Sequence, residues 1–458
     1  MENSRKSKSS LPERVADSLC QLVPAQCSVK LGLSGGVDSV VLLHLLCSLA
    51  PRYSWQISAL HVHHGISPNA DAWAEFCAGL CANYKVPLLI EYVDISQLRN
   101  EHGIEAAARK LRHAAFAQQD CDFIALAHHA DDQVETLLLQ LLRGAGIKGV
   151  AAMPLLKPGT SQTAATLRPL LDVHRSELLK YAQQHHLKWV EDESNADDYY
   201  PRNFLRNQLL PMLEEKFPAY RDTLSRSARH FAEAGELLDE LAQQDTNDWT
   251  SGAPLEIASL RALSLTRAKN LLRYFLHVSG APMPQTLQLD DMLHQLLTVR
   301  EDSAVCVEFG GWQVRYYQNK VYVLREPGDF DPTLKLDWLG EAELLWPASN
   351  TNLIFLQTLG QGVSLKKLQQ ARVTLRLRSG GESLRPHAEA ATRSLKNLLQ
   401  EYRIPPWLRE RLPLLYCGEE LVSVIGVAIA AEYQAEFGEA SLVVADKHLV
   451  YDDAHNKL

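Results

Sequence analysis

The chain has 458 residues, 46% of them hydrophobic and 22% charged, with a formal net charge of −9. Its length implies roughly three domains of ordinary globular composition. The acidic balance argues against a generic nucleic-acid binder, although local charge decides whether a specific one is present. No apolar stretch reaches the ~20 residues that span a bilayer, so no membrane partner is expected. Residues 1–12 read as a flexible tail, because Met1 to Ser10 are polar and lack the apolar core of a secretory signal. The eight cysteines form no C-x-x-C pair. Scattered thiols of this kind fit a reducing cytoplasm, the expected location, better than a disulfide framework or a zinc site.

From 13 to 218, strand-like and helix-like segments alternate, which predicts a doubly wound, mostly parallel α/β sheet covered on both faces. The strand candidates are 29–33, 57–62, 88–93 and 123–127. Between the first strand and the apolar helical run 40–46 lies Ser34-Gly35-Gly36-Val37-Asp38-Ser39. Two glycines allow close backbone approach, and a helix N-terminus offers unpaired N–H groups, so this turn reads as a phosphate cradle. The phosphate-loop pattern with its lysine is absent. Asp38 instead suggests a carboxylate that holds a divalent cation against the phosphates.

The second strand leads into His61-Val62-His63-His64-Gly65, read as a loop contacting nucleotide or substrate, with His61 the candidate. A zinc cluster is disfavoured there, since no Cys or third carboxylate stands at matching spacing. On the helix expected over 105–118, Arg109 and Arg112 lie three apart on one side and could present forked donors to phosphate. Behind the strand 123–127 comes His128-His129-Ala130-Asp131-Asp132-Gln133-Val134-Glu135-Thr136, facing the same crevice as Ser34. Paired carboxylates there suit a cation or base chemistry on an amine. Helix capping by Asp131 or Asp132, with Glu135 completing the first turn, is the plainer alternative. Arg202 and Arg206 are four apart and hence neighbours on a helix.

Residues 219–328 read as a mainly helical domain, with helices expected over 221–244 and 255–278, a linker over 245–254, and strands over 306–323 that turn at Gly310-Gly311. Residues 329–458 read as a small α+β domain with strands at 373–377, 421–427 and 442–444 and a helix at 394–402. Here a basic region stands out. Residues 372–411 hold nine Lys/Arg against four acids, among them Arg378, Arg385, Arg393, Lys396 and Arg403.

Ser-Gly-Gly-x-Asp-Ser at the first strand–helix turn resembles the pyrophosphate loop of the PP-loop ATP pyrophosphatases, which cleave ATP between the α- and β-phosphates and transfer AMP to a carbonyl-type oxygen. The remaining motifs occur in order: 61–65, Glu-Ala-x-x-Arg with Arg112, 128–136, Arg168-Pro169-Leu170, 192–206, Arg393-Ser394-Leu395-Lys396 and the Ile404-Pro405-Pro406-Trp407 run. Together they resemble the long form of the tRNA(Ile)-lysidine synthetase family over nearly the whole chain, most weakly between 240 and 370. One departure is His113, where the family pattern implies tyrosine.

The resemblance implies that ATP, free lysine and the wobble cytidine of an isoleucine tRNA with a CAU anticodon give lysidine, AMP and pyrophosphate. The cytosine carbonyl is a poor electrophile, so its oxygen must first be adenylated. Ser34 to Ser39 would then take the pyrophosphate, and Asp38 would place Mg²⁺ with Asp131 or Asp132. Arg109 and Arg112 would neutralise phosphate oxygens. The lysine amine, with a reference pKa of about 10.4, needs a base or desolvation to free its lone pair. Asp132 is the first candidate to bind or deprotonate it and His129 the second. Arg202 and Arg206 are expected on the tRNA or AMP side, and the basic region of 372–411 on the acceptor stem. A homodimer is compatible with all of this. A PP-loop tRNA 2-thiolation enzyme is the nearest rival, but it would call for a reactive thiol pair that Cys77 and Cys81 do not match in spacing. A tRNA-binding scaffold with a vestigial nucleotide site is the non-enzymatic alternative.

Overall fold

Short apolar strands separated by amphipathic helices leave one solution for burying both faces, a parallel sheet with helices above and below. The computed structural model takes this form, describing residues 10–96, 103–160, 163–193, 197–246, 249–250, 252–300 and 305–446. The chain divides into two compact units, Met1–Leu238 and Asp239–Leu458. The division falls inside the helix Tyr220–Asp245. Helix α1 (Leu11–Cys20) begins within the expected tail, its first turn closed by Ser10 and Glu13. The first nine residues lie outside the described ones.

In the first unit, β1 (Ser28–Gly32) is followed by α2 (Val37–Tyr53), β2 (Gln56–His63), α3 (Ala70–Tyr84), β3 (Leu88–Tyr92), α4 (Ile104–Ala117) and β4 (Phe123–Ala125). Then come α5 (Ala130–Leu142), β5 (Leu156–Lys157), β6 (Ala165–Leu167) and α6 (Arg175–Gln184). The sheet order is β3-β2-β1-β4-β6-β5, with every pair parallel except β5 with β6. Helix α2 is apolar nearly all round, and nine of its residues are buried. It packs with α1 and α6 over Val29, Leu31 and Ala59. On the other face Phe116 of α4 meets Leu60 and Ile124. Gly32 makes that approach possible, since a Cβ there would lie 2.8 Å from the Phe116 ring. Chain order reverses between β1 and β4, which creates a crevice at their carboxyl ends, where ligands bind in such sheets.

The second unit carries more strand than its sequence suggested. Residues 255–278 are not one helix: Leu255–Glu256 pairs with Lys320–Arg325, and only Ile257–Arg261 and Leu265–Val278 are helical. With Val305–Phe309 and Trp312–Tyr317 they complete a four-stranded antiparallel sheet, so the region pairs its helices with a small sheet. Its hairpin turns at Gly310-Gly311 as expected, with both glycines at positive φ (53° and 78°). Residues 335–446 form five-stranded and four-stranded antiparallel sheets around Trp346, Leu375, Leu398 and Leu415. Trp407 lies edge-on to Tyr317 and Tyr322 beneath the Arg315 guanidinium. Among the described residues no helix is long and apolar enough to cross a membrane.

Candidate active site

The loop after β1 owes its shape to three local constraints. Gly35 has φ of +88°, and a Cβ on it would come 2.9 Å from Val190 Cγ2, so only glycine fits. Its carbonyl accepts the N–H of Val190 at 3.0 Å, which pins the loop from below. Gly36 caps α2, and Ser39 Oγ donates to the Gly36 carbonyl at 2.9 Å. Ser34 and Ser39 place their hydroxyls 3.2 Å apart. Val37 is buried under the turn, leaving the first N–H groups of α2 at the crevice. His61, buried at the end of β2, has Nδ1 2.9 Å from the Leu33 carbonyl. That nitrogen must donate, so His61 supports the loop from beneath, and burial lowers its pKa.

Behind β4, His129 caps α5 and is 1% exposed. Its Nε2 lies 3.6 Å from Asp38 Oδ2 and 3.4 Å from Asp132 Oδ2, and its Nδ1 lies 3.7 Å from Asp131 Oδ2. One imidazole therefore links the carboxylate of the glycine loop to the pair on α5. Burial opposes its charged form, but Asp38, Asp132 and Asp131 together outweigh burial and raise its pKa. Asp132 also accepts the His129 backbone N–H at 3.0 Å, the bond that the capping reading expects. Burial opposes its ionisation, yet His129, Arg202 and His128 hold its pKa below the ordinary value. A carboxylate so stabilised is a weak base.

Sequence reasoning missed Glu135 and Arg221. Glu135 is fully buried and accepts from Arg202 Nε at 2.8 Å, Arg206 Nε at 2.7 Å and Arg206 Nη2 at 3.0 Å. Arg206 Nη2 continues to Asp132 at 3.2 Å. The helix carrying the two arginines passes into a π-helical turn, Leu205–Leu209, just where both must reach one carboxylate. Arg202 and Arg206 thus brace internal carboxylates, although the sequence suggested an RNA or AMP contact. Asp131 is held by Arg221 Nε at 2.6 Å and the Arg175 N–H at 3.0 Å. The signal for Glu135 was available: three residues after Asp132, it shares that residue's helix face. Arg221 lies ninety residues from Asp131 in sequence and left no such trace.

Arg109 and Arg112 both lie on α4. His128 beside them is pushed to about 4, first by burial and then by Arg168, Arg202 and Arg109 against the pull of Asp132. Burial and Arg112 likewise bring His64 to about 4. No three metal-ligating side chains converge among the described residues. The loop carboxylate nonetheless suits a cation, because Asp38 Oδ1 is buried without a partner. A hard divalent ion there would draw its other ligands from phosphate and water. Cys77 and Cys81 are buried, and burial pushes their thiols up to about 12 and about 11, so neither is a ready nucleophile.

The basic stretch of the second unit is mostly self-neutralised. Arg372 pairs with Asp337, Arg376 with Glu419, Arg385 with Glu432 and Arg393 with Glu401. Arg409 and Arg411 donate to the backbone carbonyls of Ile404 and Ala348. Among the described residues Arg378, Lys396 and Arg403 have no such partner; Lys396 and Arg403 are exposed and Arg378 half-buried.

Residues 9–213 match the PP-loop domain profile, 255–322 the TilS substrate binding domain and 373–445 the TilS substrate C-terminal domain. The tRNA(Ile)-lysidine synthase of Nitrosomonas europaea is 42% identical over 446 residues, spanning 96% of this chain and 97% of its own. That of Azoarcus sp. is 41% identical over 414 residues, 90% of each chain. The Coxiella burnetii enzyme is 37% identical over 406 residues, 88% of this chain and 89% of its own.

Proposed function

The chain belongs to the tRNA(Ile)-lysidine synthase family, and from that premise we propose that it joins free lysine to C2 of the wobble cytidine of a CAU-anticodon isoleucine tRNA. It is an enzyme of this type with an ATP-binding PP-loop domain, and its substrate is tRNA. The supporting observation is the convergence of a glycine cradle and a carboxylate pair at the sheet's switch point, bridged by His129.

In the first step the cytosine O2 attacks the α-phosphorus of ATP, and the α–β bridging bond breaks. Pyrophosphate leaves into the Ser34–Ser39 loop, where the N–H groups at the head of α2 and the Ser34 and Ser39 hydroxyls receive its charge. Asp38 Oδ1 would hold a Mg²⁺, which supplies further charge neutralisation there. Arg109 and Arg112 would donate to nucleotide phosphate oxygens. In the second step the lysine ε-ammonium gives up one proton to solvent, its freed nitrogen attacks C2, the C2–O bond breaks and AMP departs with the oxygen. Asp132 receives the ammonium before attack, and Glu135 with Arg202 and Arg206 fixes the Asp132 rotamer. His129, between Asp38 and Asp132, keeps the two carboxylates at a set spacing. Lys396 and Arg403 supply cations to the tRNA backbone.

The test is incorporation of labelled lysine into CAU-anticodon isoleucine tRNA with ATP and Mg²⁺, with AMP released in equal amount. Asp38→Ala should lower the rate by on the order of a thousandfold, as loss of a charge-stabilising group does. Retention of most activity in that variant would remove Asp38 from the chemistry. No incorporation by the unaltered protein would sink the reaction itself.

A further inference from the structure

Arg168, first residue of the Arg168-Pro169-Leu170 motif, has no task in the reaction above, yet it is the only buried arginine among the described residues, 7% exposed. It directly follows β6. The register Ala125↔Leu167 sets it beside residues 126–128 at the carboxyl end of β4. Its backbone N–H donates to Leu155 O at 2.9 Å, and its Nη1 donates to Pro154 O at 2.9 Å, so the guanidinium is fixed at one end. The Nε–H is buried and has no partner. On the neighbouring strand end, His128 Nδ1 is buried and unpartnered too. Two orphaned buried polar nitrogens on neighbouring strand ends are costly in a folded protein unless a ligand completes them.

The surroundings select the ligand's charge. Burial lowers the Arg168 pKa, and Arg109 adds to that. His113 is held low by burial and then by Arg109, Arg112, Lys157 and Arg168. The cations near Arg168 make this end of the crevice favourable for an anion. The pyrophosphate cradle stands at the end of β1, and β4 lies between β1 and β6. Two strand spacings separate the sites by about 10 Å. That is room for a second phosphate belonging to the other substrate.

We propose that Arg168, with His128 beside it, is a receptor for a backbone phosphate of the RNA, adjacent to the nucleoside that enters the crevice. The inference rests on the RNA-modifying reading, and binding rather than turnover is its readout, so failure of lysine incorporation and failure of this site are separate results. Arg168→Met should weaken tRNA binding roughly ten- to hundredfold, the range for a charged hydrogen bond. It should also reduce the slope of log Kd against log salt by about 0.7 to 0.9, the signature of one phosphate contact. ATP affinity should stay unchanged. Arg168→Lys guards against misfolding of the Met variant: it keeps the salt slope but loses the fork geometry, and should bind tRNA several-fold more weakly. Unchanged tRNA affinity and slope in a folded variant would overturn the proposal. A rise in ATP Kd with tRNA binding intact would also overturn it, by assigning the phosphate to the nucleotide.

Discussion

At the switch point of the first unit's sheet, Asp131, Asp132 and Glu135 meet Arg202, Arg206 and Arg221 with all six side chains largely out of solvent. Along 372–411, by contrast, Arg372, Arg376, Arg385 and Arg393 meet their carboxylates at the surface. Pairing has opposite consequences in the two places. Buried ions that lose a partner leave an uncompensated charge in a poor solvent, whereas exposed pairs exchange a partner for water at little cost. The first region is therefore fixed geometry, and the second is a reservoir of charge that a polyanion can recruit.

The largest effect should come from breaking the buried network. Glu135→Ala leaves two half-buried guanidiniums without their shared carboxylate, a loss of about 3–5 kcal/mol by the general cost of orphaning a buried charge. Chemical denaturation should show that drop. Glu135→Gln should recover part of the stability while lysine incorporation stays low, because Asp132 loses its fixed rotamer. Stability equal to the unaltered protein in both variants would contradict the network's role.

A second, smaller effect is expected on acidification. His64 and His128 sit at about 4 in the fold, below the ordinary histidine value of about 6.5. The unfolded chain therefore takes up protons first as pH falls. Their contribution is complete above about pH 6.5 and is lost progressively toward pH 4. His129 runs the other way. Its raised pKa gives a contribution that is complete below about pH 6.5 and fades as pH rises through the folded value. Melting temperature should thus fall on both sides of near-neutral pH. His128→Asn should flatten the acid limb alone, and an acid limb unchanged in that variant would clear His128 of the effect.

How much of this could be read from the chain depends on distance along it. Strands 29–33 and 57–62 were found within a residue or two, since their apolar runs and flanking turn residues are local signals. Gly35 and Asp38 were legible because six consecutive residues carry the whole loop. The Glu135 network was not, because its members lie 67 and 71 residues apart and meet only through the fold. Glu135 also had a sufficient local explanation in helix capping, which hid the tertiary one. Residues 255–278 misled for the opposite reason. Leu255 is apolar enough to extend a helical pattern, yet the open edge of a three-stranded sheet takes it as a strand. The basic count of 372–411 was correct as arithmetic but incomplete as electrostatics, since the opposing acids include Asp337, Glu419 and Glu432 from outside the window.

That last point yields the finest test. Lys396 and Arg403 are exposed with no pairing partner among the described residues, while Arg372 is matched by Asp337. If these cations meet the tRNA backbone, the double variant Lys396→Ala, Arg403→Ala should reduce the slope of log Kd against log salt by about 1.4 to 1.8, two phosphate contacts' worth. Arg372→Ala should change it less, because that guanidinium already shares its donors with a carboxylate. Filter binding across a salt series separates the two. Equal slopes for both variants would mean that net charge, and not the availability of individual donors, governs how this surface holds RNA. The ATP site should be indifferent to either change, so ATP affinity serves as the internal control for folding.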